Sequence, residues 1–161
     1  MNNDNSDILK NLEFLVTKSR ELRQEQLNSY EGANSKAGIL ISISSLLIPI
    51  ALSFISSANT TLYIKILTIF PTALMILALI YLLKVLLPKE LDHGFNFDQF
   101  EGQIDKPAKD LLLFEIGANR SSYRLNVPIV NAQNKHFKFG VKLIFCSALI
   151  LFILVTVSLF V

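Results

Sequence analysis

Few side chains in this chain could do chemistry, and their spacing argues against catalysis. The two histidines lie in different stretches; His93 follows Asp92, but nothing nearby completes a metal set, and His136 stands beside Lys135. The single cysteine, Cys146, sits deep in an apolar run, where a thiol serves as a small apolar filler. One thiol allows neither an internal disulfide nor a paired-cysteine metal site. No glycine-rich phosphate loop or nucleophile elbow occurs. Acidic pairs such as Asp105 and Asp110 read as solvated helix faces. No enzymatic turnover, metal or cofactor is therefore expected. The remaining polar candidates are arginines: Arg20 and Arg23 early in the chain, Arg120 and Arg124 late. Each pair is three or four residues apart and can share one helix face. The plain alternative is ion pairing with Glu21, Glu25 or Glu115.

The elements that must carry these residues are largely apolar. The chain of 161 residues is 52% hydrophobic and only 17% charged, where a soluble domain is about a quarter charged. Charge disappears from Ala37 to Ile64, from Ile66 to Leu83 and from Leu143 to Val161, runs of 28, 18 and 19 residues. About 18 uncharged apolar residues suffice to suggest a membrane span. These runs predict an all-α membrane protein with spans at about 37–57, 62–87 and 141–161. The first 36 residues carry both signs of charge, unlike a removable signal. Neither polar segment is strongly basic, so duplex nucleic acid is not an expected partner.

Residues 1–36 predict a surface helix, with Asn5, Ser6 and Asp7 as candidate caps. Ile8, Leu12, Leu15 and Leu22 recur at heptad-like spacing, with Ser19 and Gln26 on the same stripe. That stripe is expected to pack on the chain's own second polar segment, or else on another copy in a coiled coil. In the first span, Ser42 and Ser45 point to one face, and Pro49 should kink the helix. The serines suit close helix packing, or a polar stripe that lines water after assembly. A short uncharged turn at 58–61 makes spans one and two a hairpin. Pro71 should bend the second span, Lys65 and Lys84 lie near its two ends, and Pro88 closes it.

Residues 88–140 predict a second polar segment. Leu91–Phe100, with Phe95, Phe97 and Phe100 beside Gly94, reads as an irregular strip on the membrane surface. Asp105 and Pro107 mark a helix start. The helix is expected from Ala108 to about Leu125, with a broken stripe of Leu111, Leu112, Phe114, Ala118, Ser121 and Leu125. Asn126 and Pro128 mark a kink or a fresh start before the helix continues into the last span. The outer turn has no lysine or arginine, so the positive-inside rule puts residues 1–36 and 88–140 in the cytoplasm. Three spans then put the C-terminus outside. No run carries an intramembrane carboxylate, which argues against a proton relay or transporter core.

The stretch from Asn34 through Lys36, Ala37, Gly38 and the serines to Ile48 resembles small bacterial membrane proteins of the Pycsar effector type and the related SLATT-type effectors. In them a polar helix leads through a Lys-Ala-small element straight into the first span. The order of parts is similar over most of the chain, and Lys135–Lys142 resembles the basic approach to the last span. The resemblance implies anti-phage defence: a sensor answers infection, and the effector oligomerises in the inner membrane and disrupts it. It also implies a trigger, either a cyclic pyrimidine mononucleotide from a partner cyclase or, in CBASS-like relatives, a cyclic oligonucleotide; a partner protein is the other option. A nucleotide phosphate would need basic partners, for which bidentate arginine fits best, so Arg20, Arg23, Arg120 and Arg124 are the candidate ligand residues. The competing classes are a holin-like, immunity or accessory membrane protein and a small channel subunit.

Overall fold

A computed structural model of the chain describes residues 2–56, 61–96, 99 and 101–158, with side chains from residue 6 onward. The expected turn at 58–60, Phe97, Phe100 and the last three residues lie outside the described residues. The fold is all-α, with no strand among the described residues. Helix α1 spans Asn2–Ser56, α2 spans Leu62–Leu86 and α3 spans Ala108–Ser158, with one 3-10 turn at Glu101–Gln103 before α3. Each of the three helices contains an apolar window long enough to cross a membrane.

Two long helices run through points where the composition changes. Helix α1 passes from its polar first half into the serine-rich apolar half without a break, and carries Pro49 within it. With 55 residues, α1 far exceeds the roughly 20 needed to cross a bilayer, so only part of it can lie in hydrocarbon. Helix α3 begins directly after Pro107, whose carbonyl accepts the amides of Asp110 and Leu111. It continues through Asn126 and Pro128 into the last apolar run. Asn5, Ser6 and Asp7 are not caps, because α1 begins at Asn2 and they lie inside it. Helix α2 ends where Pro88 requires, with the Leu87 amide bonded to the Leu83 carbonyl.

The chain packs as two units, one built from the chain up to Glu31 with Lys89–Asn131, the other from Gly32–Pro88 with Ala132–Val161. In the second unit, one apolar layer joins Ala33, Ala37, Ala78, Leu82, Val85 and Ile144, and another joins Ala51, Met75 and Leu151. The helices approach closely because the residues between them are small. A Cβ on Gly140 would lie 2.9 Å from Leu82 side-chain atoms, so any larger residue there would force Leu82 to shift. Ser147 donates to the Pro71 carbonyl at 2.7 Å, a bond between α3 and α2.

In the first unit the seams differ from the expected stripes. On α1 the side chains turned inward are Leu12, Val16, Gln26 and Tyr30, with Ser19 and Arg23 partly buried between them. Leu12, Ser19 and Gln26 are in the seam, but Ile8, Leu15 and Leu22 are exposed. On α3 the buried face is Glu115, Asn119, Ser122, Asn126 and Val130, one residue on from the expected Ala118, Ser121 and Leu125. On α3 the inward face is largely polar and hydrogen-bonded, so hydrophobicity does not mark it; on α1 the face mixes Leu12, Val16 and Tyr30 with Ser19, Arg23 and Gln26, so apolar spacing marks it only in part.

Candidate functional site

The polar seam sets up a cleft in the first unit. Arg20, Arg23 and Gln24 come from α1, at the three- and four-residue spacing that shares a helix face. Glu115 and Asn119 come from α3, four residues apart. Asn119 Nδ2 donates to Ser19 Oγ at 3.0 Å, a contact spanning 100 residues of sequence. Gln26 Nε2 donates to the Tyr123 carbonyl at 3.1 Å. These bonds fix the rotation of one helix against the other, and so decide which side chains look into the cleft.

The third wall is the strip after α2. Asn126 holds Asp92 from both sides: its Oδ1 accepts the Asp92 amide at 2.9 Å and its Nδ2 donates to the Asp92 carbonyl at 2.8 Å. Ser122 Oγ donates to the same carbonyl at 2.5 Å, and Tyr30 Oη accepts the Lys89 amide at 3.2 Å. The chain then turns at Gly94, whose φ of 71° and close neighbours both demand glycine. A Cβ there would sit 2.7 Å from Asn119 Oδ1 and 3.1 Å from Arg23 Nη1. Phe95 follows and packs edge to face on Phe114, ring centres 5.7 Å apart.

The resulting cleft has a volume of about 490 Å³ and is lined by Arg20, Glu21, Arg23, Gln24, Phe95, Glu115 and Asn119. Arg20 is bidentate to Glu115, through Nε to Oε1 and through Nη2 to Oε2 at 2.8 Å. That hydrogen bond, against a smaller loss of hydration, holds the Arg20 guanidinium above the usual arginine value. A raised basic pKa loses its contribution only as pH rises through it, far above any cellular pH, so Arg20 stays charged. Glu21 is engaged on the surface by Lys18 at 2.6 Å. Arg23 Nε and Asn119 Oδ1 differ from these, since both are buried without a hydrogen-bond partner. A buried donor or acceptor left unmade costs free energy, and here one of each borders the same cleft.

Of the four candidate arginines, the structure brings Arg20 and Arg23 together here, while Arg120 and Arg124 are exposed and do not line the cleft. Phe95, Gln24 and Asn119 were not anticipated. The spacing of Asn119, Ser122 and Asn126 on one face of α3 was the available signal. Among the apolar-span candidates, Pro71 is buried within its unit, whereas Ser42, Ser45 and Pro49 are exposed on α1. Ser42 and Ser45 each donate to a carbonyl of their own helix, Gly38 at 3.1 Å and Ile41 at 2.9 Å, which satisfies them in hydrocarbon. The buried serine of this region is Ser44. Among the described residues no cluster of three metal-ligating side chains occurs.

Three helices able to span a bilayer, in a chain that also carries a polar helical unit with a cleft of mixed charge, define a multi-pass helical membrane protein. A family model described as the Pycsar effector protein domain matches residues 18–124, more than half of the chain. The chain belongs to that family, whose members are membrane effectors of anti-phage signalling and not a known class of enzyme. The match includes every residue that lines the cleft. No curated protein and no solved structure matches the chain.

Proposed function

We propose that this effector is switched by a cyclic nucleotide held in the Arg20–Arg23 cleft, and that it then oligomerises in the bacterial inner membrane and disrupts it. The observation that carries the reading is the buried, partnerless pair of Arg23 Nε and Asn119 Oδ1 in one cleft. Arg23 would hold the phosphate, Asn119 would take a donor from the base or sugar, and Phe95 offers an aromatic face beside them. Arg20, already tied to Glu115, would contribute charge or exchange partners. Three spans are too few to enclose an aqueous path, so several copies would have to meet. The exposed face with Ser42, Ser45 and Pro49 is one contact that copies could share, and exposed Ile8, Leu15 and Leu22 on α1 favour another. The polar segments, residues 1–36 and 88–140, would lie in the cytoplasm by the positive-inside rule, with the C-terminus outside. Spans near 37–57, 62–87 and 141–161 fit that arrangement.

A ligand shifts assembly only through its different affinity for the two states. The test is triggered toxicity in cells that co-express a pyrimidine cyclase, with membrane potential and binding of labelled cyclic CMP and UMP measured alongside. Arg23→Ala should abolish binding and depolarisation while leaving membrane insertion intact. Arg120→Ala/Arg124→Ala should behave as wild type. Unchanged binding and toxicity in Arg23→Ala would overturn the cleft, and cell death with an intact membrane would overturn the mode of action.

A further inference from the structure

The thirteen acidic residues of the chain all lie outside the unit formed by Gly32–Pro88 and Ala132–Val161. That unit holds Lys36, Lys65, Lys84, Lys135, Lys138 and Lys142 with no carboxylate side chain. Five of these six belong to one end of it. The apolar layer there is made by Ala33, Ala37, Ala78, Leu82, Val85 and Ile144, with Phe137 and Leu143 packed against it. Lys36, Lys84, Lys135, Lys138 and Lys142 alternate in sequence with those residues, while Lys65 stands at the start of α2. All five are exposed, and among the described residues none makes a salt bridge.

Lys135, Lys138 and Lys142 are three and four residues apart, so they stack on one face of α3 and repel one another. Lys84 joins them from α2. Its ammonium lies 5.5 Å from the centre of the Tyr81 ring, and that ring meets Phe139 at 4.6 Å and His136 at 5.8 Å. Four like charges on two adjacent helices, with no carboxylate side chain in their own unit, make a surface that favours anions. The aromatic rings between them suit a site at a membrane surface. Tyr81 neighbours Leu82 of the apolar layer, and tyrosine prefers the boundary of hydrocarbon and headgroup. Sidedness alone would be served by lysines in a loop, whereas these are on the helices, flush with the packed layer.

We propose that Lys135, Lys138 and Lys142, with Lys84 held beside them by Tyr81, form a seat for the headgroups of anionic phospholipids. Basic positions at the cytoplasmic ends of membrane helices attract such lipids, each lysine adding severalfold to the affinity. The proposal is independent of the nucleotide cleft and uses none of its residues. The test uses the full chain in a neutral detergent, titrated with phosphatidylglycerol or phosphatidylcholine of equal chain length, with retained lipid read by native mass spectrometry. The wild type should retain the anionic lipid about tenfold better or more, and this preference should fall as salt shortens the screening length. Lys135→Gln/Lys138→Gln/Lys142→Gln should lose the preference. Lys135→Arg/Lys138→Arg/Lys142→Arg and Lys65→Gln should keep it. If the glutamine variant fails to insert, the salt titration of the wild type decides. Equal retention of the two lipids by the wild type, or a preference indifferent to salt, would overturn the seat. Displacement of the lipid by inorganic phosphate would assign the lysines to a free anion instead.

Discussion

Where α2 and α3 meet in the unit of Gly32–Pro88 and Ala132–Val161, the contacts are mostly alanine, glycine, leucine and aromatic rings, with Ser147 and Gln133 each reaching an α2 carbonyl. Where α1 and α3 meet in the other unit, they are arginine to glutamate, asparagine to serine and glutamine to carbonyl. The difference follows from the solvent each unit faces. In hydrocarbon there is no hydrophobic force between helices, so affinity comes from close approach, which small residues permit. In water apolar contact alone would hold two helices, but it specifies rotation weakly. A buried polar seam is satisfied only in one register, since every other register leaves groups unmade. The polar unit can therefore hold a cleft in a defined shape, at the cost of buried atoms such as Arg23 Nε that have no partner.

Three substitutions would sharpen or break this contrast. Gly140→Leu should have the largest effect, because the side chain would occupy space already filled by Leu82. Overpacking of this kind costs about 1–3 kcal/mol, occasionally more, and should appear as a lower unfolding midpoint in mixed micelles. Gly38→Ala, with nothing within 4 Å of its added Cβ, is the control and should be tolerated. A Gly140→Leu protein as stable as wild type would remove the close-approach argument.

Asn126→Leu tests the polar unit. Asn126 is fully buried (0% exposed), and leucine of similar size would orphan the Asp92 amide, while Ser122 still serves the carbonyl. One buried group left unmade costs about 1–3 kcal/mol. Amide hydrogen exchange at Asp92 should accelerate, and protease should cut the strip between residues 88 and 107 sooner. A more stable and equally protected leucine variant would mean that the polar seam is not structural. Ser147→Ala should have the smallest effect. It deletes one bond between membrane helices, a change that averages about 0.6 kcal/mol in such bundles. A loss several times larger would show that polar contacts dominate this unit as well.

The two units were unequally legible in sequence. In the apolar one, uncharged runs and Pro88 mark where helices can cross and stop, because hydrophobicity and a missing amide act locally. In the polar one the buried face of α3 lies one residue on from its apolar stripe, and the buried face of α1 follows its apolar stripe only in part. Leu15 and Leu22 have the spacing of a core yet are exposed, while Ser19, Arg23 and Gln26 turn inward. Hydrophobic periodicity marks a seam held by burial, and it cannot mark one held by hydrogen bonds.

The sequence by itself determined the helical class, the three apolar stretches, the start of α3 after Pro107 and the family resemblance. Each depends on a residue's own chemistry or on its near neighbours. The cleft was decided only by tertiary structure. Ser19 and Asn119 are 100 residues apart, and whether Arg23 faces Asn119 and Phe95 depends on the phase of one helix against another and on where Asn126 anchors Asp92. That phase is selected by the joint satisfaction of distant polar groups, a condition no single stretch of the chain contains.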